Sequence, residues 1–229
     1  MTAQRGFTLI EMAIVLVIIT ILIGGLAVPL SAQIQARRIA ETRADMRAIE
    51  EVLIGFAMRQ TKAHLPCPDD GNGNEGARDG DGKCLQTRGG LPWRALGLKG
   101  EDAWGNRYTY AVTKNFTDDG DGFNSATAGD LKVNPIYSNC TGSLLNNGAV
   151  VVISHGPNGR GAQNKNGGTP LAPGNVPLDE RQNLPTANAG TCSDKNFVSQ
   201  APSQNFDDLV AWLHPNGIIS RVCPGGVCP

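Results

Sequence analysis

One carboxylate stands out near the start of the sequence, because Glu11 lies directly before a long apolar run. Residues 12–30 carry no charged side chain. A charged group well inside a bilayer core costs roughly 2.5–3.5 kcal/mol on insertion scales, and such groups usually have a partner of opposite charge. Glu11 is therefore either one half of a charge pair or a side chain that reaches the lipid headgroups. The first alternative makes it a candidate for an assembly contact.

Six cysteines, all of which follow the apolar run, indicate disulfide chemistry. An even number in a loop-rich, exported domain predicts up to three disulfides, although fifteen pairings are open to six cysteines. We expect near neighbours to pair, as Cys67–Cys84, Cys223–Cys228 and, by remainder, Cys140–Cys192. The alternative is free thiols in a reducing compartment. Zinc is disfavoured because the sequence has no CxxC pair.

An acidic loop at residues 118–130 is a candidate calcium site. Asp119, Asp121 and Asp130 fall at positions 1, 3 and 12 of a twelve-residue loop, as in an EF-hand, but positions 5 and 6 lack the expected oxygen ligand and glycine. A second loop that begins at Asp70 also matches only in part. Because Asp- and Gly-rich loops are more often plain turns, both interpretations stay open.

No nucleophile paired with a base is visible in the sequence, so an enzyme is not expected. The three histidines, His64, His155 and His214, lie in Pro- and Gly-rich contexts and read as loop residues. The segment 154–168 has the glycine spacing of a phosphate-binding loop but lacks its lysine. The net charge of −1 gives no basic face, which argues against a nucleic-acid partner.

The elements that must position these groups begin with a long helix. Residues 7–30 form an apolar first half that is just long enough to cross a bilayer, and residues 31–62 form an amphipathic second half. Gly24, Gly25 and Pro29 predict a bend between them, since proline removes a helical hydrogen bond. In the second half, apolar side chains recur at gaps of three and four, at Ile39, Thr42, Met46, Ile49, Leu53 and Phe56. We expect this stripe to pack on the head of the same chain.

The rest of the chain reads as a small antiparallel sheet with long loops. Alternation at residues 108–112 predicts a half-buried strand, and the apolar run at 150–153 predicts a more buried one. We expect two further strands at 218–222 and 131–137, of which the second is an edge strand because of Pro135. The predicted fold class is therefore α+β, with a long N-terminal helix, transmembrane in its first half, packed on a small sheet with disulfide-stapled loops.

The stretch from Gly6 to Glu11, GFTLIE, resembles the processing site of type IV pilins and type II secretion pseudopilins. It combines a glycine at the cut, a phenylalanine after it, a glutamate as the fifth mature residue and an apolar run. The resemblance implies that a membrane aspartyl peptidase cleaves between Gly6 and Phe7 and methylates the Phe7 amine. It also implies that the Phe7 amine of one subunit meets Glu11 of a neighbour. A discarded signal peptide and a plain membrane anchor are the alternatives.

Two later stretches resemble segments of pseudopilin heads. DAWGNRYTY, at 102–110, is similar to the Asp-x-Trp-Gly-Asn-x-Tyr segment of major pseudopilins, and FDDLVAWL, at 206–213, is similar to a run near the end of such heads. In major pseudopilins, a Gly-rich loop at the place of residues 154–168 often holds calcium. The resemblance implies the pilin fold, with a leader at residues 1–6 and a globular head at 63–229.

The resemblance implies a structural subunit, a prepilin or pseudopilin, of a type IV pilus or a type II secretion filament. The length and the extra loops favour a minor subunit. The alternative is an adhesin-like tip pilin whose head binds a ligand. Expected partners are other pilin subunits, the prepilin peptidase, the inner-membrane assembly platform and the membrane. We expect a single-pass inner-membrane protein with a periplasmic head, which later joins a periplasmic or cell-surface filament.

Overall fold

The computed structural model describes residues 6–136, 143–164, 177–185 and 192–229, and it does not describe the side chains of residues 23–29. The chain divides into two compact units, Met1–Glu41 and Thr42–Pro229. The four segments predicted from the sequence, which have other boundaries, stay a prediction.

The first element is a helix of 51 residues, α1 (Leu9–Arg59), which matches the long helix expected from the sequence. The helix continues through Gly24, Gly25 and Pro29 without interruption, and the bend predicted there stays a prediction. Among the described residues, no helix combines the length and the apolar character that crossing a membrane requires.

The part of α1 that belongs to the second unit buries one face. Its buried side chains, which are at most 7% exposed, are Thr42, Met46, Ile49, Leu53, Ile54, Phe56 and Ala57. The one polar member, Thr42, accepts a hydrogen bond through Oγ1 from the backbone N–H of Ala103 at 3.3 Å. Each large apolar side chain that is fully buried contributes roughly 1.5–3 kcal/mol. The predicted stripe is confirmed from Thr42 onward.

The remaining elements are short. The strands are β1 (Arg88–Gly90), β2 (Thr109–Val112), β3 (Leu131–Asn134), β4 (Leu145–Gly148), β5 (Val150–Ser154), β6 (Asn196–Val198) and β7 (Leu209–Leu213). The helices are α2 (Trp93–Leu96), α3 (Leu178–Arg181) and α4 (Pro215–Val222), with 3₁₀ turns at Lys114–Phe116 and Pro224–Gly226. Together with α1 they define an α+β fold, as predicted.

In the described part of the chain the strands form two sheets, where the sequence predicted one. The first has the order β1-β2-β5-β7 and is antiparallel, and the second has the order β4-β3-β6, in which β3 and β6 run parallel. The central place of β3 shows that the edge position predicted for residues 131–137 is wrong. The strand ends at Asn134, directly before Pro135, so the proline interrupts no ladder.

The prediction of a strand at 218–222 is also wrong, because these residues lie in α4. Pro215 suits the first position of a helix, where its missing N–H has no intrahelical partner to lose. His214 Nδ1 accepts a hydrogen bond from the backbone N–H of Asn216 at 3.2 Å and so caps the helix. Ile218 and Val222 are 0% and 2% exposed, and their spacing of four places them on one buried helical face.

Strand β2 is buried on both faces, although the alternation of its side chains predicted a half-buried strand. Thr109 is only 2% exposed, and its hydroxyl lies 2.8 Å from Nε2 of His155. The Tyr110 hydroxyl donates a hydrogen bond to the carbonyl of Pro66 at 3.1 Å. A polar side chain is tolerated on a buried face when it has a hydrogen-bond partner, so alternation in residue type did not mean alternation in exposure.

Two of the predicted disulfides are confirmed, Cys67–Cys84 and Cys223–Cys228. Cys192 is disulfide-bonded as well. Its predicted partner, Cys140, lies outside the described residues.

We predict that Leu53→Ala lowers the free energy of unfolding of the head by roughly 2–5 kcal/mol, because truncating a buried leucine leaves a cavity. Leu53 is 0% exposed under α1. The measurement is urea unfolding of the full chain in detergent micelles, followed by near-UV circular dichroism. The matched control is Met58→Ala on the same helix, where the side chain is 52% exposed and the change should stay within about 0.5 kcal/mol. Equal losses in the two variants would contradict the described packing.

Candidate functional site

The first candidate site is the segment that leads into α1. Gly6, Phe7 and Thr8 precede the first helical residue, Leu9. Phe7 is 84% exposed, and a Cβ placed on Gly6 would meet nothing within 4 Å. The peptide bond between Gly6 and Phe7 thus lies in non-helical backbone with open space around it. This is the geometry that a peptidase needs at a bond it cleaves.

Thr8 and Glu11 together cap the start of α1. The Glu11 carboxylate accepts two hydrogen bonds through Oε2, from the backbone N–H and from the hydroxyl of Thr8, both at 2.8 Å. The backbone N–H of Glu11 in turn donates to Thr8 Oγ1 at 3.3 Å. This reciprocal arrangement is a capping box, in which side chains satisfy N–H groups that have no partner within the helix. Glu11, the candidate for the assembly contact, therefore also fixes the first turn of α1.

The capping box gives Glu11 hydrogen bonds but does not cancel its charge. Both donors from Thr8 are neutral, so the carboxylate keeps a full negative charge that a cation can still pair with. Sequence reasoning considered a partner for Glu11 on a neighbouring subunit or in the lipid headgroups and missed the contact with Thr8. The signal was present, since threonine followed three residues later by glutamate before an apolar run is a helix-start pattern.

The first turns of α1 expose large apolar side chains on every side. A helix that is apolar all round is normally covered by protein or lipid. The exposed side chains, each at least 43% accessible, are Leu9, Ile10, Met12, Ile14, Val15, Leu16, Val17, Ile18, Ile19, Ile21 and Leu22. This surface needs an apolar neighbour.

The second candidate site is an acidic cluster formed by Glu180, Asp207 and Asp208. Glu180 comes from α3, and the two aspartates directly precede β7. One carboxylate oxygen from each residue lies within 4.8 Å of those of the other two. Glu180 and Asp208 are buried, at 1% and 4% exposure. Sequence reasoning noted the two aspartates only as part of the FDDLVAWL resemblance and did not consider Glu180.

Within the described part of the chain, the hydrogen bonds around the acidic cluster reach all but two of its buried oxygens. Glu180 Oε1 accepts from the Asn158 side chain at 3.1 Å and from the backbone N–H of Asp207 at 3.0 Å. Asp207 Oδ2 accepts from the backbone N–H of Asn158 at 2.9 Å, and Asp208 Oδ2 accepts from the Asn183 side chain at 2.8 Å. Glu180 Oε2 and Asp207 Oδ1 are buried and have no hydrogen-bond donor among the residues that the structure describes. Because oxygen ligands suit a hard cation, the cluster fits calcium, whose two positive charges would offset most of the negative charge of the three carboxylates.

Burial and mutual repulsion change the titration of the acidic cluster. Burial, followed by the negative charge of Asp208, raises the pKa of Glu180 from 4.5 to about 7. Burial also raises the pKa of Asp207. Glu180 has a pKa of 4.5 in the unfolded chain and about 7 in the folded chain. Between these two values, the unfolded chain binds fewer protons than the folded one. Without a metal, the stability therefore falls as the pH rises from 4.5 to about 7.

His155 joins the acidic cluster to the sheet. Its Nε2 lies 2.8 Å from Thr109 Oγ1, and its Nδ1 lies 3.6 Å from Asp208 Oδ1. The hydroxyl, imidazole and carboxylate follow one another in the order of a catalytic triad, in which they serve as the nucleophile, the base and the group that orients the base. However, Thr109, His155 and Asp208 are at most 4% exposed, so no substrate can reach the hydroxyl. The sequence reading of His155 as a loop residue missed this arrangement, because the three residues come from distant parts of the chain.

The residues predicted to bind calcium do not form a comparable group in the described part of the chain. Asp119 pairs with Arg78 at 3.3 Å. Asp130 pairs with Lys195 and accepts a hydrogen bond from the Thr113 hydroxyl at 2.7 Å. Calcium at Asp119, Asp121 and Asp130 stays a prediction, and the geometry favours the acidic cluster instead.

Residues 1–27 match the family model described as the prokaryotic N-terminal methylation motif, which is the signature of type IV pilins and pseudopilins. The match covers Gly6, Phe7 and Glu11 and confirms the resemblance of this segment. No curated protein and no solved structure matches the chain.

We expect Ca²⁺ to raise the melting temperature of metal-free protein through the acidic cluster. At a free Ca²⁺ concentration about 100 times the dissociation constant, the free energy of unfolding should rise by about 2.7 kcal/mol. Glu180→Gln should remove most of the gain, because it deletes a charge and keeps the shape. The gain should be larger at about pH 8 than at about pH 5.5, since calcium has to displace the proton that Glu180 holds at the lower pH.

The control for this measurement is Asp119→Asn, which removes a carboxylate from the loop that the sequence suggested. We expect the calcium effect to survive this change. A variant pair with the opposite pattern, in which Asp119→Asn abolishes the effect and Glu180→Gln does not, would place the ion in the loop at residues 118–130.

Proposed function

We propose that the chain is a structural subunit of a helical filament, a minor prepilin or pseudopilin of a type IV pilus or a type II secretion system. The observation that carries the proposal is the methylation motif at residues 1–27. It is supported by the accessible Gly6–Phe7 bond and by the apolar surface at the start of α1. We propose that the prepilin peptidase cuts this bond and methylates Phe7, so that the mature subunit begins at Phe7.

Assembly in this proposal depends on a charge pair between subunits. Cleavage gives Phe7 a cationic amine, and the Glu11 carboxylate of a neighbour offers the matching charge. The neutral donors of Thr8 hold that carboxylate in place without using up its charge. Packing of the apolar surfaces of adjacent helices removes water from the pair and strengthens it.

Before assembly, we propose that the apolar half of α1 anchors the precursor in the inner membrane as a single span, with the head in the periplasm. The large apolar side chains between Leu9 and Leu22, which are exposed in the isolated chain, support this placement. The inner-membrane assembly platform would then draw the subunit from the membrane into a periplasmic or cell-surface filament.

We also propose that the chain is not an enzyme. Thr109, His155 and Asp208 are arranged like the members of a catalytic triad. All three are buried, so a substrate cannot reach them. The head could still act as a binding module at a filament tip. One observation favours this second candidate, namely the large cavity beside Arg88 described below.

Mass spectrometry of the mature N-terminus tests the processing step. We expect a chain that begins at Phe7 and carries one methyl group on its amine. A terminus at Val28, or an intact Met1, would show that the segment is a signal peptide or an anchor and would defeat the proposal.

Two variants of Glu11 separate its charge from its role as a cap. Glu11→Gln keeps an acceptor for Thr8, and glutamine also serves in a capping box, whereas Glu11→Val removes both functions. We predict that both variants insert and are cleaved but lose filament incorporation by on the order of tenfold or more, because a hydrogen bond to a charged group contributes roughly 1.5–3 kcal/mol. The measurement is the ratio of subunit in sheared filaments to subunit in membranes.

The outcome for Glu11→Gln is the decisive one. If this variant assembles as well as the wild type while Glu11→Val does not, the cap matters and the charge pair is wrong. Thr8→Ser, which preserves the hydroxyl, is the matched control and should assemble normally.

A further inference from the structure

A cavity of about 580 Å³ lies in the head, where β1 and β2 of one sheet approach β3 of the other. Its size falls within the range of about 300–1,000 Å³ that is typical of ligand pockets. The apolar part of its wall includes Leu85, Val112, Leu131 and Pro185. Leu85 is 62% exposed at the rim, so this wall is open to solvent.

Arg88 is a cation of this cavity that has no hydrogen-bonded anion among the described residues. Its guanidinium lies 4.4 Å above the ring of Phe197. Nη1 donates to the carbonyl of Asp194 at 3.0 Å, and Nη2 donates to the carbonyl of Gln182 at 2.7 Å. Nε is buried and has no acceptor in the described part of the chain. The two acceptors of the Arg88 guanidinium, which bind Nη1 and Nη2, are neutral carbonyls. They hold the positive charge in place but do not balance it.

The electrostatics of Arg88 agree with this description. Burial lowers the pKa of Arg88 to about 10, and the negative charge of Asp194 opposes the shift only in part. An arginine remains charged at neutral pH even then, so the folded head carries a desolvated cation. A bound anion would relieve this penalty.

The other charges in the cavity wall are already paired or exposed. Lys195 pairs with Asp130 within the wall, and Lys114 pairs at 2.8 Å with Asp79, outside it. The Asp194 carboxylate is exposed to solvent. An incoming anion therefore meets Arg88 as its cation and two aspartates as repelling neighbours. A single negative charge suits this balance better than phosphate, which carries about −1.5 to −2.

We propose that this cavity binds a singly charged carboxylate carried on an apolar body. Arg88 holds the carboxylate, for which its planar fork of N–H donors is well shaped. Leu85 and Pro185, the apolar residues of the wall that keep accessible surface, contact the apolar body. The carboxylate can come from the C-terminal residue of a peptide or from a free short-chain carboxylic acid, and the two sources share this chemistry.

The test is a titration of the full chain in uncharged detergent micelles, followed by the NMR signal of the Arg88 side-chain Nε–H group. The probes are N-acetyl-leucine, which represents a peptide C-terminus, and hexanoate, which represents a free acid. We expect a saturable shift with at least one of them and none with N-acetyl-leucinamide, which lacks the charge. Binding of N-acetyl-leucine alone indicates a peptide C-terminus, and binding of hexanoate indicates a free acid.

Variants localise the binding. Arg88→Lys should weaken it by roughly tenfold or more, measured by calorimetry, because lysine cannot hold a carboxylate bidentately. The matched control, Arg94→Lys, lies outside the cavity wall and should bind normally. If Arg88→Lys fails to fold, Leu85→Glu serves in its place, since it adds a competing carboxylate at an exposed rim position.

Three results would overturn the proposal. The first is no saturable shift with either carboxylate. The second is equal binding of the neutral amide. The third is an affinity for Arg88→Lys, or for Leu85→Glu where it replaces that variant, that equals the affinity of Arg94→Lys.

Discussion

A charged group that is withdrawn from water needs a partner, and this constraint shapes every functional part of the chain. Glu11, which is exposed in the isolated chain and would lose water in the proposed filament, accepts local hydrogen bonds from the backbone and hydroxyl of Thr8. Glu180 and Asp207 meet it only in part, because each keeps one buried oxygen for which the described residues offer no donor. Arg88 has carbonyl acceptors but no hydrogen-bonded carboxylate in the described part of the head. In each case the protein supplies hydrogen bonds that fix the group and leaves its charge for something else to balance.

Periodicity predicted the elements whose burial follows a single face. The stripe from Thr42 to Phe56 was found because the inward face of a helix repeats every three or four residues, whatever it packs against. The same reasoning failed at 218–222, where apolar and β-branched residues suggested a strand. Their burial at a spacing of four, together with the cap from His214, belongs to a helix. Short elements depend on their caps and neighbours more than on composition.

The candidate sites differ in how far the sequence could reveal them. The segment from Gly6 to Glu11 is contiguous, so its chemistry could be interpreted without a fold. Thr8 was also visible in that pattern but was not used. The acidic cluster could not be assembled from the sequence, because Glu180 meets Asp207 and Asp208 only when α3 folds against the start of β7. Conversely, Asp119 and Asp130 had a suggestive spacing in the sequence, yet each has a basic partner in the fold.

The capped start of α1 has an electrostatic consequence for maturation. Aligned peptide units give the N-terminal end of a helix about half a unit of positive charge. Removal of the leader would set a new ammonium group beside that end, where like charge meets like charge. Meanwhile the nearest acid, Glu11, is already oriented toward Thr8. Proteolysis would thus do more than trim the polypeptide, because it would turn a balanced terminus into one that its own helix repels and a foreign anion attracts. Cleavage would therefore leave an isolated subunit with a positive charge that only an anion from another molecule balances.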